Sequence, residues 1–552
     1  MKKSLIPLIT IISLITMTAA FLRFYNLNWD AGFNFHPDER NIAAAVARIH
    51  FFDKLNPEFF AYGSLPIYLI RVVGDTLTWA TADTSWVANW GKINLIARSI
   101  SALASTLTIP LIFLIANRLF GKTTAILSSI IATFTVSLIQ TAHFGVTESL
   151  LTFQLTLITY FSLKRFNSLN YFIIAILLAV SFATKTSAIT FSIIPAASLL
   201  LQLKKSNLAA SFLNLLSAIS LIALLYILLS PYTFIDFEKF RESMNYEFGV
   251  VRGTLPVPYT LQFTNTIPYL YQLANLLWQM GPVAILGTTA IILLTTKIIK
   301  TTVSKPKSLI SSHYLLITFL IFPIAYFVYI GSWHTKFIRY MVPILPFLAI
   351  ASSWLLTKFD EKLKTKFIFS SGIATVTILW ALAFFSIYTR PQTRIEASNW
   401  IYQNIPEKST VLKEHWDDGL PLNLPNNSPA DYNMVELTIY DQDSNSKLEY
   451  LAQNLQNADY LVISSRRLWG TLINLEEKYP ITSTYYKLLF NGSLGYKKKA
   501  EFSSYPSLLG IAVNDNSSEE TFQVYDHPTV IIFANTERFS TDTIKNIINN
   551  AN

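Results

Sequence analysis

The sequence predicts a polytopic α-helical membrane protein of about eleven spans, followed by an extracytoplasmic α/β domain. Three observations lead there. Of 552 residues, 52% are hydrophobic and 14% charged, against about 25% charged in an average soluble domain. The apolar residues gather into runs long enough to cross roughly 30 Å of hydrocarbon, which takes about 20 helical residues. From residue 389 onward the composition turns polar.

The same composition excludes several classes. The 43 Lys and Arg against 34 Asp and Glu leave a net +9, clustered at the ends of apolar runs rather than in a basic stripe, so no nucleic-acid partner is expected. No cysteine is present, which removes disulfides, thiolate nucleophiles and Cys-based metal sites. Collagen, coiled coil and disorder fail on the absence of a glycine repeat or long heptad and on the high Leu, Ile and Phe content.

The runs fall at 4–24, 92–119, 123–142, 145–163, 170–184, 186–203, 207–230, 269–296, 309–331, 337–357 and 367–387. Lys185 interrupts the fifth and sixth, which read as one long helix or two short ones. With Met1 inside, every second loop should be cytoplasmic and basic. These loops hold Lys2 and Lys3; Arg118 and Lys122; Lys164 and Arg165; Lys204 and Lys205; Lys297, Lys300, Lys305 and Lys307; and Lys358, Lys362, Lys364 and Lys366. The opposite face receives the long connections 25–91 and 231–268 and everything after 388. The expected organisation is a membrane domain over 1–388 and a soluble domain over 389–552. The first run also fits a signal peptide, with Lys2-Lys3 and Ala19-Ala20, but it exceeds the roughly 7–15 apolar residues of a signal core.

In the tail, 394–403 and 447–457 read as helices and 409–413, 459–464 and 529–534 as strands. Alternation of the two predicts a layered sheet and says nothing specific about function. Three Asn-X-Ser sites, at Asn426, Asn491 and Asn516, bear on function only in a cell that glycosylates them.

Chemistry in such a protein rests on ionisable residues at or near the lipid, where each is costly. The first outer loop carries Asp38 and Glu39 just after Pro37, ahead of an amphipathic helix candidate at 41–52. A half-buried carboxylate there suits general-base work; capping the positive end of that helix is the plain structural alternative. Other outward ends supply His143 and Glu148, Lys185, and the run His334, Lys336, Arg339, Tyr340. Arg98 lies about two turns inside the second span and needs a phosphate or acidic partner. Arg and Lys both bind phosphate; snorkelling is the alternative for Lys336 and Arg339, and a helix cap the alternative for Glu148. His36, His143 and His334 fall on one outer face and, together with Asp38 or Glu148, are candidates to hold a divalent metal ion. The midplane is nearly free of charge, unlike a secondary transporter, which points to surface chemistry on a lipid-anchored substrate.

His36-Pro37-Asp38-Glu39, Thr147-Glu148-Ser149-Leu150-Leu151, Thr184-Lys185 and Phe337-Ile338-Arg339-Tyr340-Met341-Val342-Pro343, in that order and on that side, resemble the GT-C glycosyltransferases. More narrowly they resemble the protein O-mannosyltransferase and aminoarabinose transferase group, phospholipid carrier-dependent enzymes. The resemblance implies a GT-C-like fold over about residues 4–390. It also implies an inverting transfer of a sugar from a polyprenyl-phosphate carrier to an acceptor hydroxyl on the outer face. Asp38 matches the catalytic Asp and would be the general base; Glu39 matches the second acid of the pair. Lys185, Arg339 and Tyr340, with Arg98 behind them, would face the carrier phosphate, and Glu148 and His334 would line the substrate site. No nucleotide cofactor is implied. Tyr62-Gly63-Ser64-Leu65-Pro66 stands where aminoarabinose transferases have Glu-Lys-Pro-Pro, so a lipid, glycan or protein acceptor remains open. A transporter or flippase of lipid-linked sugars, and a scaffold binding cell-wall polymers through the tail, are the competing readings.

Overall fold

The computed structural model describes residues 5–202, 208–304 and 309–551. Lys2, Lys3, Lys204, Lys205, Lys305 and Lys307 of the orientation argument lie outside the described residues. The chain divides into two units: Met1–Arg252 with Ile267–Phe385, and Gly253–Thr266 with Ser386–Asn552. The short segment Gly253–Thr266, expected as part of a long outer loop, belongs with the tail.

The first unit is a helix bundle, and seven described helices are long and apolar enough to cross a membrane. The protein is a multi-pass membrane protein. The Trp90–Phe120 helix packs on Leu5–Phe24, Lys122–Thr133 and Glu148–Ser162, around a core that includes Ile109, Ile112, Leu155, Ile158, Phe319 and Phe347. At the periphery the Leu208–Leu229 helix is apolar on every side and buries none of its residues. Phe212, Leu213 and Leu228 are exposed, the surface that lipid covers and water would not tolerate. Hydroxyls within the bundle return to the carbonyl four residues back, as Thr108 does to Ala104 and Thr156 to Thr152, because the hydrocarbon offers no other partner.

The other expected spans are shorter or interrupted, each for a visible reason. The third breaks after Lys122–Thr133 and resumes as Val136–Gln140. At the break, buried Arg23 takes the Ala132 and Thr133 carbonyls at 3.2 Å each. Lys185, in extended backbone, separates Ser168–Thr184 from the Thr186–Ser192 3-10 turn and the Ile193–Gln202 helix, so two short elements form there. The eighth is Leu270–Met280 and Val283–Ser304, parted at Gly281-Pro282, where Gly281 has φ +64°.

The connections expected as loops carry helices of their own. The first holds Pro37–Arg48 and Ser64–Thr81; the second holds the amphipathic helix Phe237–Arg252. The helix expected at 41–52 starts four residues earlier. Pro37 is preset for a first helical turn, and His36 caps it, its Nδ1 accepting the Asp38 N–H at 3.2 Å. Asp38 and Glu39 are therefore inside the first turn rather than ahead of it.

The second unit is built on a five-stranded sheet in the order β2-β1-β3-β7-β4, from β1 (Thr410–Glu414), β2 (Asn433–Leu437), β3 (Tyr460–Ile463), β4 (Tyr496–Phe502) and β7 (Val530–Asn535). A hairpin of β5 (Ser507–Leu508) and β6 (Ile511–Ala512) stands apart. β1 pairs in parallel with β2 and β3, and β7 runs antiparallel to β3 and β4. Along the central strands successive residues feed opposite cores. Leu412, Leu461, Ile463, Ile531 and Phe533 pack on the helices Asn445–Asn457, Pro480–Phe490 and Thr541–Ala551, whereas Val411, Val462, Val530 and Ile532 pack on Thr393–Asn404. Both faces are covered, which is why these strands read as unbroken apolar runs. Leu261, from Gly253–Thr266, joins the first of these cores.

Candidate functional site

Adjacent helical residues point about 100° apart, so Asp38 and Glu39 leave the Pro37–Arg48 helix in different directions. Glu39 turns inward and is fully buried. Arg98 meets it with Nε at 2.8 Å and Nη2 at 2.6 Å, and meets buried Asp30 with Nη1 at 2.9 Å and Nη2 at 2.6 Å. Nη1 also donates to the Leu27 carbonyl at 2.9 Å, so all five guanidinium N–H groups are used. The Trp29 ring lies 4.8 Å from the guanidinium carbon, and the Gly145 N–H donates to Glu39. A side chain at Gly145 would crowd Ala97 at 2.7 Å. This clamp ties the first loop to the Trp90–Phe120 helix and to the loop before Glu148. Burial lifts the proton affinity of Glu39, with Arg98 opposing it.

Asp38 turns the other way, to a site 23% exposed. Its Oδ2 accepts the Tyr62 hydroxyl at 2.9 Å and the Arg339 guanidinium. Oδ1 has no protein partner among the described residues. Burial favours the protonated acid, but Arg339, then His36 and the Tyr62 hydroxyl, outweigh it and hold Asp38 well below the usual carboxylate range. Burial and the Asp38 charge push the Tyr62 hydroxyl well above its ordinary value, so it donates its proton to a hydrogen bond without losing it.

Tyr62 is delivered by a close backbone contact. The Gly63 N–H donates to the Thr184 carbonyl at 3.0 Å, and any Cβ at Gly63 would collide with the Ala183 carbonyl. The next residue, Lys185, places its ammonium 4.9 Å from the Tyr62 ring and 3.4 Å from Glu148 Oε1. Glu148, the first residue of its helix, is 5% exposed, and its Oε2 makes no hydrogen bond. Trp333 and Phe337 each stand edge-on to Tyr340 at 5.6 Å, and Arg339 lies 5.3 Å over Phe337. One end of the bundle thus holds two cations, two carboxylates and an aromatic wall. Such an arrangement can bind an anion on Lys185 and Arg339 and accept a proton on Asp38.

Of the residues singled out from sequence, Asp38, Glu148, Lys185, Arg339 and Tyr340 come together here. Arg98 and Glu39 do not: Arg98 spends its donors on Glu39, Asp30 and the Leu27 carbonyl, and Glu39 is held by Arg98 and the Gly145 N–H, so neither is turned to the open site. His334 contributes a carbonyl to buried Lys336 at 2.8 Å. The metal candidates are not assembled either. His143 is buried with Nδ1 and Nε2 each 2.9 Å from a carbonyl, those of Ile139 and Tyr25, so both ring nitrogens face acceptor oxygens, which take N–H donors. Among the described residues no three His, Asp or Glu could share an ion. Sequence reasoning missed Tyr62 as a site residue and Asp30 as the second partner of Arg98; the unpaired charge of Arg98 was the one signal that an acid had to be near.

Residues 89–229 match the model of the family described as dolichyl-phosphate-mannose-protein mannosyltransferase. Among solved structures, the chain resembles the archaeal oligosaccharyltransferase AglB from Archaeoglobus fulgidus in complex with an inhibitory peptide and a dolichol-phosphate. The TM-score is 0.53 at 13% identity, covering 92% of this chain and 75% of that one. The Archaeoglobus fulgidus oligosaccharyltransferase complex with Zn and sulfate gives 0.52 at 14% identity, covering 90% and 72%. ArnT from Cupriavidus metallidurans bound to undecaprenyl phosphate gives 0.46 at 13%, covering 96% and 98%. No curated protein matches the chain. The fold is that of the GT-C glycosyltransferases, the group its motifs resemble.

Proposed function

We propose that the chain is an integral-membrane glycosyltransferase that moves a sugar from a polyprenyl-phosphate carrier to an acceptor hydroxyl, with Asp38 as general base. The reaction occurs on the extracytoplasmic side, the N-terminus being cytoplasmic and the second unit outside. The observation that carries this reading is Asp38, ionised and held on one oxygen by Arg339 and Tyr62 while its other oxygen is open, beside the cations Lys185 and Arg339. The match to a mannosyltransferase family over residues 89–229 and the fold shared with a protein that binds a dolichol-phosphate support the same class of donor.

The chemistry follows from that geometry. Carrier phosphate on Lys185 and Arg339 places the anomeric carbon beside Asp38. The acceptor oxygen attacks that carbon from the face opposite the phosphate, the C–O bond to phosphate breaks, the acceptor proton passes to Asp38, and configuration inverts. Negative charge growing on the departing phosphate is stabilised by cations already in place. Once phosphate engages Arg339, less of its charge is left for Asp38, whose basicity rises just when a proton must be taken.

The test uses the full chain in nanodiscs with a panel of polyprenyl-phosphate sugars, reading free carrier phosphate and transferred sugar by mass spectrometry. Cleavage or transfer that disappears in Asp38→Asn supports the reading and names the sugar. Donor that is bound, left intact by both proteins and moved across liposomes would replace it with a flippase.

A further inference from the structure

The Phe237–Arg252 helix is amphipathic and is fastened around the site at several points. Phe240 meets Phe60 at 6.2 Å, and Asp236, just before the helix, takes the Asn56 amide at 3.1 Å. Met244 sulfur receives the Thr186 hydroxyl at 3.5 Å, next to Lys185. The Val251 carbonyl accepts the Thr335 N–H at 3.2 Å, in the segment leading to Arg339. Residues three and four apart share a helix face, so Glu247 lies between Met244 and Val251 on the side facing Lys185 and Arg339. Its carboxylate forms no hydrogen bond among the described residues. The charged and titratable groups around it are Lys185, Arg339 and Asp38, with the Tyr340 hydroxyl also within its field.

Resting on the phosphate-carrier reading above, we infer that Glu247 is a built-in counter-ion for Lys185 and Arg339, a carboxylate that the carrier phosphate displaces when the donor binds. A lone carboxylate cannot share two cations with a phosphate at no cost; it must take up a proton or lose its hold on them. Burial, and to a smaller degree Asp38, already raise its proton affinity against the pull of Lys185 and Arg339. Phosphate on Lys185 and Arg339 takes up their pull and raises that proton affinity further, so the donor binds better to protonated Glu247 than to its carboxylate. The empty site keeps its cations paired, and a neutral-headed lipid gains nothing by entering.

The experiment measures binding of a sugar-free polyprenyl phosphate, and of the matching neutral polyprenol, to wild type and Glu247→Gln in nanodiscs from pH 5.5 to 8.5. For Glu247→Gln, Kd for the phosphate should fall about tenfold at pH 8, the effect of roughly one pKa unit of coupling. The gap between the proteins should close as the pH falls and wild-type Glu247 protonates. Polyprenol binding should be the same in both, which excludes a merely structural effect. Equal or weaker phosphate binding by Glu247→Gln at pH 8, or a gap that does not change with pH, overturns the counter-ion role alone. Wild type that binds polyprenol as well as the phosphate overturns the carrier reading and this inference with it.

Discussion

Asp38 and Glu39 are chain neighbours of the same chemical type, yet one sits in an open pair and the other in a closed one. The Arg98 clamp is fully buried and every guanidinium donor is spent on Glu39, Asp30 and a carbonyl. The Arg339 pair is about a quarter exposed, and one Asp38 oxygen is left over. A closed network holds elements together; an open one has valence to offer a substrate. On the proposed function, the charges that matter in this bundle are the ones left incompletely satisfied.

The largest effect should come from the open pair. Asp38→Asn is expected to reduce transfer by about 10²–10⁴-fold, the usual worth of a general base, with an unchanged melting curve. Transfer retained within tenfold would remove Asp38 from the chemistry. The closed pair should behave in the opposite way. Arg98→Met strands two buried carboxylates and should cost about 3–5 kcal/mol of stability, seen as a lower melting temperature in detergent. A stable Arg98→Met protein with lost donor binding would instead restore Arg98 to the substrate site.

A subtler change sharpens the contrast. Tyr62→Phe removes one hydrogen bond from the ionised form of Asp38, so the acid's pKa must rise. The base is then lost at a higher pH as the medium is acidified. The acidic limb of the kcat/KM profile should move up by about one unit, or about 1.4 kcal/mol, while the alkaline limb stays in place. An unmoved limb would mean that another group governs it.

A pH titration tests the same rule in the second unit. His527 is fully buried between Asp526 at 2.5 Å and Asp515 at 2.7 Å. Burial disfavours its charge, but the two carboxylates prevail and raise its pKa to about 10. Its stabilising contribution is complete below the ordinary value near 6.5 and is lost as pH rises through about 10. The melting temperature of the second unit should decline between pH 8 and 10.5, and His527→Asn should flatten that decline.

Much of this was legible in one dimension because the signals are local. Apolar runs, the polar shift near 388, and the strands at 409–413, 459–464 and 529–534 depend on side-chain periodicity, and the structure places strands at β1, β3 and β7 within a residue of each. The helices inside the long connections were less legible. Phe237–Arg252 mixes charge and aromatics on a face that matters only once it meets the bundle, and the 41–52 estimate missed that His36 acts as a cap. The breaks at Phe134 and Gly281 depend on Arg23 and on a positive φ, neither of which hydropathy records.

The sequence by itself determined that the chain enters a membrane, that a polar unit follows, that Asp38 stands in the first outer loop, and that Lys185 and Arg339 occur at the ends of apolar runs. Composition and period are properties of the chain and survive any fold. Only the tertiary structure decided that Glu39 and Arg98 neutralise each other, that Tyr62 reaches Asp38 through the gap left at Gly63, and that Glu247 turns toward two cations. Pairing between charges is a property of distance and burial, and residues 301 positions apart, such as Asp38 and Arg339, acquire both only when the helices pack.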